Sequence, residues 1–250
     1  MIGLGDFLMY TAVGGAAQLV DGALGMTYGV TSASMLMGLG MPPVLASASV
    51  HYAETLTIGA SGLSHLWARN VRRDLFLALV IPGAISVLIG SQLLMHLSTH
   101  WVHIALIPYL FVISLILLLR TFNYHTSYRS DVPRITKALG FVAGFVDAIG
   151  GGGWSAITVT TLVARGMEPR YVIGSVHLAK GIVSALASIS FLLSVGAGKP
   201  GVVAGLITGG IVAAPFGALL VRRLPARIAT LLAGLAVLAV NVRSVIMLLC

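Results

Sequence analysis

The chain has 250 residues, of which 58% are apolar and 9% charged, with a formal net charge of +8. A soluble domain carries roughly 25% charged residues, so this chain has too few to solvate a globule of its size; the mean hydropathy of +1.01 agrees. Soluble folds are excluded, as are disorder, which needs low hydrophobicity, and collagen-like classes, since the 30 glycines have no three-residue period. An integral, all-α, polytopic membrane protein remains.

The basic residues stand in short loops between long apolar runs, where they act as topology signals toward anionic headgroups and form no face for a nucleic acid. Cys250 allows no internal disulfide. No basic n-region opens the chain, so no cleaved signal peptide is expected.

In chain order the apolar runs fall at 7–20, 30–41, 43–67, 75–97, 101–119, 138–146, 156–164, 171–195, 201–221 and 228–249. A helix crossing the hydrocarbon core needs about 20 residues, which selects 43–67, 75–97, 101–119, 171–195, 201–221 and 228–249 as full spans. The remaining four form two short pairs, interrupted by the glycine-rich stretches 21–29 and 147–154. The interruptions are related. A shift of 126 positions superposes Val20-Asp21 on Val146-Asp147, Gly25 on Gly151, Pro43 on Pro169, and Ser49-Val50-His51 on Ser175-Val176-His177, with 11 identities in the 35 positions of 20–54. The chain is therefore read as two copies of one unit, 1–120 and 134–250, joined by the polar segment 121–133 and sharing one transport domain.

The charges bear on how the broken segments run. If each is a re-entrant hairpin, one side of the membrane receives twelve cations: Arg69, Arg72, Arg73, Arg120, Arg129, Arg134, Lys137, Arg165, Arg170, Arg222, Arg223 and Arg227. The other side receives Lys199, with Arg243 late in the last helix. If the segments cross, that asymmetry disappears. The positive-inside rule selects hairpins with both termini outside the cytoplasm. Three crossings per copy is an odd number, so the copies are inverted, an architecture of secondary transporters.

Half-helices of about 12 residues rise about 18 Å and carry the glycine turns to the bilayer midplane. Backbone there is buried in protein or lines a polar cavity. The second half-helices, starting near Tyr28 and Trp154, point positive dipole ends inward from both copies, which suits an anion. Candidate substrate ligands are Gly25, Thr27, Tyr28, Thr31 and Ser32 in the first copy, and Gly151, Gly152, Gly153, Trp154, Ser155 and Thr158 in the second, with Thr160 beside them. The alternative is that the glycines serve close packing and the hydroxyls satisfy local carbonyls. Gly150–Gly153 is no phosphate loop, because no Gly-Lys-Ser/Thr follows.

Charges inside spans ask for a partner or a task. Glu54 and Lys180 occupy equivalent, central positions, with His51 and His177 three residues earlier on the same faces. Either Glu54 and Lys180 lock the halves as an ion pair, or Lys180 holds an anion while Glu54, His51 and His177 bind protons. As a mere pair, they would suffer more from neutralising Glu54 alone than from neutralising both. Asp21 and Asp147 either cap the N-termini that follow or face a cation. His65, His96, His100 and His103 lack metal-ligand spacing and are read as packing; Pro82 and Pro108 as helix kinks; Trp67 and Trp101 as interfacial anchors. No metal, cofactor or catalytic residue is expected.

The strings Gln18–Ser32, Ser47-Ala-Ser-Val-His-Tyr-Ala-Glu54, Phe145–Trp154 and Gly174-Ser-Val-His-Leu-Ala-Lys180 resemble the signatures of the TauE/SafE sulfite exporter family, over nearly the whole chain. The resemblance implies a multi-pass permease of the bacterial inner membrane that exports sulfite or a small organosulfonate. Lys180 departs from it, since such proteins often repeat a glutamate there. Rival readings are a transporter of another anion, an importer, an intramembrane enzyme using histidine and carboxylate acid–base groups, and a non-transporting assembly factor.

Overall fold

The computed structural model describes residues 3–24, 27–98 and 131–221, with isolated positions between 108 and 119 and between 231 and 242. The described segments form helices α1 (Leu4–Leu24), α2 (Tyr28–Gly38), α3 (Pro43–Trp67), α4 (Arg73–His96), α5 (Thr136–Gly150), α6 (Trp154–Ala164), α7 (Pro169–Val195) and α8 (Pro200–Val221). The expected spans 101–119 and 228–249 lie largely outside the described residues. Within the described residues, 73–96 and 170–195 are long and apolar enough to cross a bilayer unaided. α3 is as long, but it carries His51, Glu54 and a series of serines and threonines that lower its hydropathy.

Both interruptions break helices where glycine and capping chemistry predict. α2 and α6 are 11 residues each, about 16 Å of rise. The preceding helices are longer than half-spans: α5 has 15 residues and α1 has 21, a full span's worth. α1 gains its length at the start, where residues 3–6 are exposed. Gly14 and Gly15 do not shorten it, because they lie against α8.

The packing is symmetric under exchange of the two sequence copies. α1 packs along α8 as α5 packs along α4; α3 crosses α7; α4 touches α7 as α8 touches α3. Equivalent glycines make equivalent contacts: a methyl on Gly14 would overlap the Leu206 carbonyl, and one on Gly140 would lie 2.8 Å from the Leu79 carbonyl. Gly40 and Gly166, 126 positions apart, turn the chain with φ of 85° and 84°. L side chains disfavour that conformation and glycine does not. Pro43 and Pro169 then begin α3 and α7, where a missing N–H costs nothing. Two apolar cores result. One gathers mainly α1, α2, α3 and α8 around Tyr28, Leu36, Val50 and Leu206. The other gathers mainly α4, α5, α6 and α7 around Leu79, Trp154, Val183 and Phe191. Each core thus takes three helices from one copy and the fourth from the other.

α3 and α7 run antiparallel through the centre. Going along α3, contacts pair Tyr52 with Gly196, Thr55 with Ser188, Gly59 with Gly181 and Gly62 with Leu178. Beyond Trp67, the loop meets the start of α7. The Arg72 amide donates to Ser175 Oγ (2.9 Å), and Gly174 has no room for a side chain beside the Asn70 carbonyl. At the opposite end Asp6 and Tyr10 line one pocket with Gly198 and Lys199.

Candidate functional site

The two glycine turns meet. A Cβ on Gly152 would overlap the Gly29 carbonyl carbon and Val30 nitrogen, and one on Gly29 would lie 2.9 Å from Gly152 Cα. Gly151 (φ 67°) and Gly153 (φ 119°) provide the left-handed corners of the second turn. Close packing is therefore what Gly29, Gly151 and Gly152 serve in this arrangement. Gly25 lies outside the described residues.

Each half-helix N-terminus is capped by the aspartate ending the helix before it. Asp21 Oδ1 accepts the Thr27 and Tyr28 amides at 2.8 and 3.0 Å, and Asp147 Oδ1 accepts the Trp154 amide at 3.0 Å. Capping resolves why acids stand at the unfavourable C-terminal ends of α1 and α5: each satisfies orphan donors of the next helix. It also changes the electrostatics expected from sequence. The two dipole ends face carboxylates, so they are not bare positive sites.

Lys180 is the second departure. Its Nζ donates to Asp147 Oδ1 and Oδ2 (2.6 and 2.5 Å) and lies 2.8 Å from Glu54 Oε2. The simple Glu54–Lys180 pair is thus a triad spanning both halves, and the ammonium is occupied by carboxylates here instead of being free to hold an anion. Ser184, one turn beyond Lys180, donates to Glu54 Oε2 (3.2 Å), and Ser47 donates to the Ala148 carbonyl (2.6 Å). Sequence reading missed both serines, although position i+4 from Lys180 was a signal for Ser184. All members are shut off from solvent: Glu54 and Lys180 are 2% exposed, and His51 and Asp147 0%. His51 Nε2 lies 3.3 Å from the Asp147 carbonyl, and Nδ1 lies 3.6 Å from Glu54 Oε2. His51, Glu54 and Asp147 bring ligand atoms within 4.8 Å of one another. Lys180 already supplies a cation between the two carboxylates, so the donor set does not ask for a metal.

The hydroxyls divide between the copies. Thr158 and Thr160 donate to the carbonyls of Trp154 and Ala156, the local role. Thr27, Thr31 and Ser34, spaced along one face of α2, are buried with no partner among the described residues, as is Trp154 Nε1. Ser32 is buried beside them and Ser155 is half-buried. Tyr28 is a packing anchor whose hydroxyl donates to the Leu206 carbonyl (3.2 Å). His177, three residues before Lys180 on α7, has Nδ1 2.9 Å from Ser61 Oγ.

A helical bundle whose paired broken helices meet beside charges withdrawn from solvent is an arrangement known from secondary transporters. The family described as "Sulfite exporter TauE/SafE" matches residues 10–244. The chain is also 38% identical over 247 residues to "Probable membrane transporter protein YtnM" of Bacillus subtilis (strain 168), covering 96% of this chain and 82% of that protein. The chain belongs to the TauE/SafE family, and it is a membrane transporter of that type.

Proposed function

We propose that the chain is a secondary permease of the bacterial inner membrane that exports sulfite or a related small sulfur oxyanion or organosulfonate. It does so by alternating access of two inverted repeats, with protons as the coupling ion. The observation that carries this reading is the meeting of the two glycine turns beside the Glu54–Lys180–Asp147 triad. Substrate would bind there, with the unpartnered hydroxyls of Thr27 and Thr31 as donors and Ser32 beside them. Asp21, Glu54 and Asp147 oppose one lysine, so an anion enters this surrounding only with compensating positive charge. A proton is the compensation the geometry suits. When His51 Nε2 donates to the Asp147 carbonyl, Nδ1 and Glu54 Oε2 face each other as two acceptors 3.6 Å apart. A proton there turns repulsion into a charge-assisted bond.

The inversion is supported by the end contacts. The 68–72 loop lies with the start of α7, so Arg69, Arg72, Arg73 and Arg170 share one end. The hairpin reading requires this and the crossing reading forbids it. The basic end is then cytoplasmic and both termini are periplasmic. The correspondence of helix pairs between the two copies supports alternating access, in which the repeats would exchange conformations.

The test is purified protein in liposomes, offered sulfite, sulfate, taurine and sulfoacetate, with and without a pH gradient. Sulfite efflux that accelerates with an imposed proton gradient is expected. Flux of none of the four would refute the cargo; flux of another member without sulfite would assign the cargo to that member.

A further inference from the structure

The two sequence copies place their histidines at equivalent positions but differ in what surrounds them. His177 stands three residues before Lys180, on the same face of α7. Its Nδ1 is 2.9 Å from Ser61 Oγ, and its ring meets the His65 ring edge-on with centroids 5.7 Å apart. His65 Nδ1 is in turn 3.4 Å from Asn70 Nδ2, in the loop at the basic end, and both residues are partly exposed. In the other half the 126-residue offset puts Ala187 where Ser61 stands and Phe191 where His65 stands. Both are fully buried, and Phe191 stacks on His51 with centroids 5.9 Å apart. One histidine thus continues through polar groups toward the surface, and its counterpart ends against a phenyl ring.

We propose that protons exchange between the central triad and the basic end of the bundle through His65 and His177, and that Phe191 closes the equivalent route at the opposite end, where the proton enters or leaves with the substrate. This rests on the proton-coupled reading above and adds to it a path and a side. An imidazole accepts a proton on one nitrogen and releases it from the other, which suits both rings to relay. Among the described residues the charged groups around the path are few. α3 contributes His51 and Glu54, and α5 contributes Asp147; Lys180, on α7 itself, stands with these at the inner end. Arg69, Arg72, Arg73, Asp74, Asp131, Glu168 and Arg170 stand at the outer end, with Arg72 and Asp74 paired at 2.5 Å and Arg170 and Glu168 at 3.3 Å. α6, also packed on α7, brings no charged residue.

The experiment uses the full chain in liposomes containing a pH-sensitive dye, with sulfite as probe. Net sulfite-driven proton flux is measured against sulfite–sulfite exchange at equal pH, which lets the bound proton ride back and needs no release. Loss of a positioned proton-transfer group costs about 10²–10⁴-fold in general acid–base catalysis; on that scale His65→Phe should slow net flux at least about 100-fold while exchange persists. His65→Gln, which keeps a polar side chain in the same space, should do the same. Phe191→His should make transport respond to pH at the opposite end. Wild-type net flux and pH profile in both His65 variants would overturn the route, as would equal loss of exchange and net flux. A wild type that moves sulfite without protons would overturn the coupling reading and the route together.

Discussion

Neutralising the two charged members of the triad that the halves contribute at equivalent positions separates architecture from function. Lys180 Nζ sits between Asp147 (2.5 Å) and Glu54 (2.8 Å). Lys180→Met strands two buried carboxylates facing each other, and breaking a buried ionic group this way costs about 3–5 kcal/mol. Glu54→Gln keeps a polar group for Lys180 and Ser184 and leaves the Lys180–Asp147 pair intact, costing about 1–2 kcal/mol. The double variant leaves Asp147 as the one stranded carboxylate, still accepting the Trp154 amide at 3.0 Å, so it falls between the two. This reverses the order expected from sequence for a simple Glu54–Lys180 pair, because Asp147 is the lysine's second partner. A chain of this size shifts its midpoint roughly 2–4 °C per kcal/mol, so Lys180→Met should unfold roughly 6–20 °C below wild type. The assay is thermal unfolding in nanodiscs at one scan rate, paired with transport per folded protein. Lys180→Met no less stable than Glu54→Gln would refute the triad; full transport by the folded double variant would demote it to architecture.

Three further outcomes follow from the same geometry. Gly152→Ala should yield little folded protein, since its Cβ meets Gly29 and Val30 backbone that cannot give way, whereas Gly59→Ala meets nothing within 4 Å and should fold at wild-type yield; equal yields would sink the contact between the turns. Asp21→Ala should cost about 1–2 kcal/mol by uncapping α2, and Asp21→Asn much less, because asparagine also accepts the amides; thermal unfolding of the two separates a cap from an essential charge. In a Cys250→Ser background, single cysteines at Arg72, Arg165 and Arg170 should resist an impermeant thiol reagent on intact cells while Ser98 and Ala197 label. Arg165 and Arg170 are exposed and Arg72 is half-buried; labelling at Arg170 without Arg72 would mean that the broken segments cross.

Composition and spacing alone pointed to a helical membrane protein, marked where its helices break, and showed a 126-residue offset that sets Glu54 against Lys180 and Asp21 against Asp147. These properties are local or periodic: apolar runs, glycine in left-handed corners, and an offset that repeats aspartate, histidine and proline together. The tertiary structure decided who partners whom. Nothing along the chain says that Lys180 reaches Asp147 as well as Glu54. Nor does anything along it say that His177 finds a histidine where His51 finds a phenylalanine. Those pairings join residues from α3, α5 and α7, brought together by helix crossings, and a crossing is set by the fit of whole surfaces and not by any residue's neighbours in sequence.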